Sequence, residues 1–169
     1  MTPRNFSLAS IHDDIVHCAD RPGYDDEDVN AWIDFMVARG IRRVVCLLSD
    51  ARLERYDDLP AAYGRRFSAV THAPIDDHGI PSPEILERAL TAIAEAESAG
   101  ERIVLHCAAG MGRTGLIASA WLCRRHAVTV DDAIREVCAA AHRVGANRDP
   151  LEAGPDARAL LEAVWAARQ

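Results

Sequence analysis

The run Ile103-Val104-Leu105-His106-Cys107-Ala108-Ala109-Gly110-Met111-Gly112-Arg113-Thr114-Gly115 constrains this chain more than any other stretch. An apolar strand leads into a glycine-rich turn, the turn opens a helix, and a cysteine and an arginine stand at the turn's two ends. A turn of this kind leaves backbone N–H groups pointing inward. A helix starting near Arg113 or Thr114 adds its own unpaired N–H groups and the positive end of its dipole, so a phosphate-sized dianion is favoured there. The planar fork of Arg113 can grip two oxygens of such an anion at once. The same field favours Cys107 as a thiolate, the nucleophilic form of the side chain. The layout predicts an anion cradle with a nucleophile at its floor.

The stretch from His106 to Gly115 resembles the signature of the cysteine-dependent protein phosphatases: His-Cys, five residues, Arg, then Ser or Thr. The resemblance implies that Cys107 attacks phosphorus and forms a phosphocysteine intermediate. It implies that Arg113 binds the phosphoryl oxygens, together with the loop Ala108, Ala109, Gly110, Met111 and Gly112. Thr114 would donate its hydroxyl to the sulfur as it departs, and His106 would support the loop from behind. Two other readings compete. Gly110-Met111-Gly112-Arg113-Thr114-Gly115 also satisfies the dinucleotide pattern G-x-G-x-x-G, which is weak alone. That fold wants an acidic residue about 20 positions on, closing a second strand. Asp131 and Asp132 stand near that distance, but Thr129 to Ile134 reads as a helix start. A plain structural turn with a buried cysteine is the other alternative. Neither explains a cysteine and an arginine framing the loop.

Displacement at phosphorus also needs an acid, because the departing alkoxide or phenoxide must be protonated. Upstream, Pro74-Ile75-Asp76-Asp77-His78-Gly79-Ile80-Pro81 reads as a shaped loop. Its portion Asp77-His78-Gly79-Ile80-Pro81 resembles the general-acid loop of the same family, which selects Asp77 over Asp76. A metal site on His72, Asp76, Asp77 and His78 is the competing reading. A thiolate with a cationic clamp has no need of a Lewis acid, so neither a metal nor another cofactor is expected. His12, His17, His126 and His142 are scattered and read as surface or core residues.

A chain of 169 residues can bury a core as one domain, here 1–169 with its core at about 6–165. No stretch has the apolar length of a membrane helix, and the N-terminus does not read as a signal segment. The five cysteines, Cys18, Cys46, Cys107, Cys123 and Cys138, are odd in number and irregularly spaced. This argues against a disulfide framework and for a reducing cytoplasm. The net charge of −7, with arginine as the only strong base, argues against nucleic-acid and membrane partners. A phosphorylated protein or peptide is the expected partner.

Segments of strand and helix character alternate. Phe6 to Ala19 reads as a hairpin or two short strands turning at His12-Asp13-Asp14. From Asp25, the spacing of Val29, Trp32, Ile33, Met36 and Val37 predicts a helix ending before Gly40. Ile41 to Leu48 reads as a buried strand, Arg52 to Gly64 as a short helix and loop, and Phe67 to His72 as another strand. Ser82-Pro83-Glu84 starts a helix that ends before Gly100. Strand Arg102 to His106 delivers Cys107, and helices follow over about 114–126, 129–141 and 155–167. The pattern predicts an α/β fold, a mostly parallel central sheet flanked by helices, with the anion loop at a strand's carboxyl end.

The acid precedes the cysteine, unlike the order in low-molecular-weight tyrosine phosphatases and arsenate reductases, and rhodanese-type phosphatases lack such an acid loop. The chain from about Phe6 to Trp165 looks instead like a compact dual-specificity-type phosphatase. The resemblance implies a shallow pocket open to phosphotyrosine and also to phosphoserine and phosphothreonine. Phosphoinositide or RNA 5′-phosphate substrates are the alternative, followed by a non-catalytic phosphate-binding module. Two departures stand out. Related enzymes often carry Arg-Pro-Gly-Ala and then a glutamine that positions water. Here the nearest match is Arg143-Val144-Gly145-Ala146, with Ala157 about where the glutamine would fall. The loop also offers no lysine for a polyphosphorylated head group. A central position for Ile41 to Leu48 would bring Cys46 near Cys107, either as a trap for the oxidised sulfur or as a plain buried thiol.

Overall fold

The computed structural model describes residues 2–168 and builds one five-stranded sheet. Met1 and Gln169, the ends of the expected 1–169 unit, lie outside the described residues. The strands are β1 (Ser7–Leu8), β2 (Val16–Ala19), β3 (Ile41–Cys46), β4 (Ala69–His72) and β5 (Arg102–His106), in the spatial order β1-β2-β5-β3-β4. Only β1 is antiparallel, and the other strands run parallel. The chain passes from β2 to β3 and later fills the slot between them with β5. This reversal of order puts a crevice at the carboxyl ends of the central strands, the usual ligand position in such sheets. Cys107 is the first residue beyond β5.

Helices cover both faces. α1 (Asp26–Ala38), α2 (Asp50–Leu53) and α3 (Leu59–Gly64) are followed by α4 (Pro83–Ala99), α5 (Gly112–Arg125), α6 (Val130–His142) and α7 (Pro155–Ala166). Trp32, Ile33 and Met36 of α1 and Tyr63 of α3 pack with Val44 and Val104 on one face of the sheet. Leu86, Leu90 and Ile93 of α4, Ile117 and Trp121 of α5, Val137 of α6 and Leu161 of α7 pack with Val45, Ile103 and Leu105 on the other. Alternate residues of β3 and β5 thus enter opposite cores, which is why both read as continuous apolar runs.

The caps explain most boundaries. Asp25, Ser82 and Thr129 each accept from a first-turn N–H of α1, α4 and α6. Gly100 ends α4 in the left-handed region at φ 63°. Three expectations are corrected. The strand expected over Ile41 to Leu48 ends at Cys46, because Ser49 caps α2 directly afterwards. Phe67 belongs to the turn closing α3, where its N–H donates to Tyr63 O, so β4 begins only at Ala69. Arg52 to Gly64 holds parts of two short helices rather than one.

Candidate active site

The loop from Ala108 to Met111 makes no regular structure, and α5 begins at Gly112, earlier than the expected Arg113 or Thr114. The first backbone bond of α5 runs from Gly115 N to Met111 O at 3.0 Å, and Met111 offers no side-chain cap. Among the described residues, no backbone N–H from Ala108 to Thr114 donates to a protein acceptor. Orphaned donors in series around one turn make an anion-binding concavity. Cys107 stands at its floor, 2% exposed.

The cradle is braced from behind. Gly110 has φ 70°, and a Cβ there would fall on the backbone of Ala19 and Asp20, so only glycine lets the loop lie against the end of β2. Asn5 Nδ2 donates to Ala109 O at 2.8 Å, while Asn5 Oδ1 accepts from Asn147 N at 2.9 Å. Arg21 N donates to Ala108 O at 3.4 Å. His106 is fully buried and shares a 3.0 Å hydrogen bond through Nε2 with Tyr63 Oη. Burial pushes the His106 pKa down to about 3, so the ring is neutral. Thr114 is fully buried, and among the described residues its hydroxyl has no partner. A buried hydroxyl without a partner remains available to a group in the cradle.

Arg113 is nearly buried and points to the acid loop. Its Nη1 donates to Ile75 O at 2.9 Å, and its Nη2 lies 2.8 Å from Asp77 Oδ1. Asp77 Oδ2 accepts from Arg52 Nη2 at 2.7 Å and Nε at 3.0 Å. One carboxylate therefore bridges two guanidinium groups. Burial pushes the Asp77 pKa up, but the Arg52 hydrogen bond and the charges of Arg113 and Arg52 outweigh it and hold the carboxyl below its ordinary range. Asp76 is exposed, and its carbonyl accepts from Gly79 N in the turn. His72 Nε2 bonds to Leu48 O instead of joining Asp77, so the four residues of the metal reading do not converge. The metal-compatible grouping among the described residues is Asp13, Glu97 and His126. It lies near the start of β2 and the ends of α4 and α5, away from the cradle.

Sequence reasoning missed two residues at this site. Arg52 was placed only in a mixed polar segment, and α2 is too short to show periodicity. Glu152 packs its carboxylate where a Cβ of Gly112 would stand, with Oε1 3.7 Å from His78 Nδ1. Ala157, the position counted as equivalent to a glutamine, is instead fully buried in the core and cannot reach the cradle. Cys46 lies opposite His106 in the β3–β5 pairing, but its side chain enters the core of α1 and α3, whereas Cys107 belongs to the core of α4 and α5. Burial pushes the Cys46 pKa up to about 12.

A parallel sheet carrying this loop at its switch point defines the class of compact cysteine-dependent phosphatases. Residues 24–127 match the family described as "Polymorphic toxin system, DSP-PTPase phosphatase", and the chain belongs to it. The chain is similar to Tk-PTP in its active form at 27% identity, with 95% of this chain and 97% of that one covered and a TM-score of 0.71. Kinase associated phosphatase (KAP), with its catalytic-site cysteine replaced by serine, shares the fold at 18% identity and a TM-score of 0.79, covering 100% and 99% of the two chains. PTPMT1 in complex with PI(5)P also shares it, at 14% identity and a TM-score of 0.71, covering 93% and 96%. No helix among the described residues is long and apolar enough to cross a membrane.

Proposed function

We propose that this phosphatase is a metal-independent phosphomonoester hydrolase of proteins, acting on phosphotyrosine and also on phosphoserine and phosphothreonine. The observation that carries the reading is the row of free N–H groups from Ala108 to Thr114 above Cys107, closed by Arg113 and Asp77. The phosphoryl group takes the cradle and Arg113 in place of the Asp77 carboxylate. Cys107 sulfur attacks phosphorus, the P–O bond to the leaving group breaks, and Asp77 gives its proton to the departing oxygen. Water then attacks the phosphocysteine, Asp77 takes up its proton, and the S–P bond breaks as Thr114 donates a hydrogen bond to the leaving sulfur. Inward amides and Arg113 stabilise the equatorial oxygens in both steps. The rim supports a broad choice of phosphoamino acid, since Ala109 is exposed and Ala108 and Met111 are half-buried, with short side chains at two of these three positions.

Cys107→Ser tests the mechanism: turnover should vanish while binding of a phosphotyrosine peptide persists. Substantial activity in this variant, or loss of native activity on adding a chelator, overturns it. The substrate is tested by comparing phosphotyrosine, phosphoserine and phosphothreonine peptides with phosphoinositides and RNA 5′-phosphates. Faster hydrolysis of either non-protein class overturns the protein reading.

A further inference from the structure

Beside the cradle, three arginines meet on one tyrosine. Arg52 Nη1 donates to Tyr24 Oη at 3.2 Å, and the guanidinium carbons of Arg21 and Arg55 lie 3.7 Å and 4.0 Å from the centre of the Tyr24 ring. The cluster adjoins the phosphate site at two points. Arg21 N donates to Ala108 O, and Arg52 shares the Asp77 carboxylate with Arg113. Among the described residues, Arg21 and Arg55 have no carboxylate within 4.0 Å, and Asp77 is the only one within that distance of Arg52. The nearby acids Asp26, Asp57 and Asp58 line a cavity that also takes in Tyr24, Tyr56 and Arg65 but none of the three arginines. In a chain with 26 acidic residues and 19 arginines, such a grouping is a local feature and not a consequence of composition.

The Asp77 carboxylate shows that the space between Arg113 and Arg52 accepts an anion. When a phosphoryl group occupies Arg113 and Asp77 turns to the leaving oxygen, Arg52 loses its anionic partner. We propose that Arg21, Arg52 and Arg55, arranged on Tyr24, form a second anion subsite that receives an acidic or phosphorylated residue flanking the phosphorylated side chain. The Tyr24 ring holds the Arg21 and Arg55 guanidinium groups by cation–π contact. Arg21 Nη1 is used by Pro22 O at 2.8 Å and Tyr56 Oη at 3.3 Å, so Arg55 and the freed Arg52 offer the open edges to a carboxylate or phosphate and Arg21 adds its charge. This deepens the protein-phosphatase reading and rests on it.

The test compares three phosphotyrosine peptides of one sequence, with neutral neighbours, with glutamate neighbours and with a phosphothreonine neighbour, alongside p-nitrophenyl phosphate and a soluble inositol bisphosphate. The charged peptides should have the higher kcat/KM. Arg55→Ala should remove about two- to fivefold of that preference, the range for one exposed charge pair, and Arg55→Glu should reverse it. Both variants should hydrolyse p-nitrophenyl phosphate as the native protein does. Equal rates on neutral and charged peptides, or an equal loss on all three in Arg55→Glu, overturns the subsite while leaving the protein reading standing. Hydrolysis of p-nitrophenyl phosphate with no peptide cleaved, or the inositol bisphosphate outpacing every peptide, overturns both.

Discussion

Arg113 and Asp77 touch across the mouth of the cradle, Nη2 to Oδ1 at 2.8 Å, so the cation proposed to grip phosphate is already occupied by a carboxylate. The pair closes an electrostatic circuit that a substrate must open. A phosphoryl dianion has more charge and more acceptor oxygens than a carboxylate, and it also collects the N–H groups from Ala108 to Thr114, so it wins the site. On the proposed mechanism, displacement turns Asp77 toward the leaving group and away from both guanidinium groups that keep it ionised.

Asp77→Ala should therefore have two opposite effects. Loss of the proton donor should lower kcat by roughly 10²–10⁴-fold on phosphopeptides, and less on aryl esters of acidic phenols. Loss of the internal competitor should tighten inhibition by orthophosphate and vanadate. If inhibition is unchanged, the Arg113–Asp77 contact does not compete with phosphate. If Asp76→Ala costs as much activity as Asp77→Ala, the acid is misassigned.

Arg52 acts through Asp77, and its effect should appear in the pH profile. Arg52 favours the ionised carboxyl, whereas the first chemical step requires the protonated one. Removing the guanidinium in Arg52→Ala raises the Asp77 pKa in the free enzyme, so the alkaline limb of kcat/KM should move to higher pH. Arg52→Lys should restore much of the native profile. An unmoved limb in Arg52→Ala would show that Arg52 does not control the acid.

Legibility from the sequence followed how local each feature is. The caps Ser82 and Thr129 bond within three residues of themselves and are readable, as is β5 to the residue. The cradle was readable because its cysteine, glycines and arginine are contiguous. Arg52 and Asn5 were not, since sheet order, not sequence distance, brings them to Asp77 and Ala109. What stands at the position of Ala157 is not readable from counting, because the segment before it turns at Gly145 and Gly154, both with positive φ, and only the structure shows Ala157 to be buried in the core.

His106 should make stability depend on pH. Its folded pKa is about 3 against an ordinary 6.5, so below pH 6.5 the unfolded chain binds a proton that the folded chain refuses. The stability from the neutral ring is complete above pH 6.5 and is lost as pH falls, at up to about 1.4 kcal/mol per pH unit, until about pH 3. Urea unfolding of the native protein and His106→Gln between pH 4 and pH 7 checks this. The native curve should fall more steeply, and parallel curves would remove His106 as the cause.

Cys107 should lose activity under dilute peroxide and regain it with a thiol reductant, because its sulfur stands at the floor of a row of unpartnered N–H groups in the loop that Arg113 closes. Cys46 is a poor trap despite its place beside His106. Its side chain enters the opposite core, and burial raises its pKa to about 12, so little thiolate is present to attack a sulfenic acid. Mass spectrometry after stronger oxidation should show Cys107 as sulfinic acid with Cys46 free. A Cys46–Cys107 linked peptide as the main product would show that the strands rearrange on oxidation.

Glu152 is expected to act in the second chemical step. Its carboxylate rests against Gly112 at the start of α5, and among the described residues the basic side chain within 4.0 Å of it is His78 on the acid loop, at 3.7 Å, rather than an arginine. An acceptor at this place can hold the water that attacks phosphocysteine, a role Ala157 cannot fill from the core. Glu152→Ala should therefore slow breakdown of the intermediate by up to about 10²-fold, the scale of lost positioning, while its formation is largely kept. Rapid mixing with an aryl phosphate should then show a burst of phenol, and acid quenching should trap phosphate on Cys107. Glu152→Gln should turn over faster than Glu152→Ala, since an amide oxygen also accepts from water. If formation and breakdown slow equally in Glu152→Ala, the carboxylate only packs the loop and positions no water.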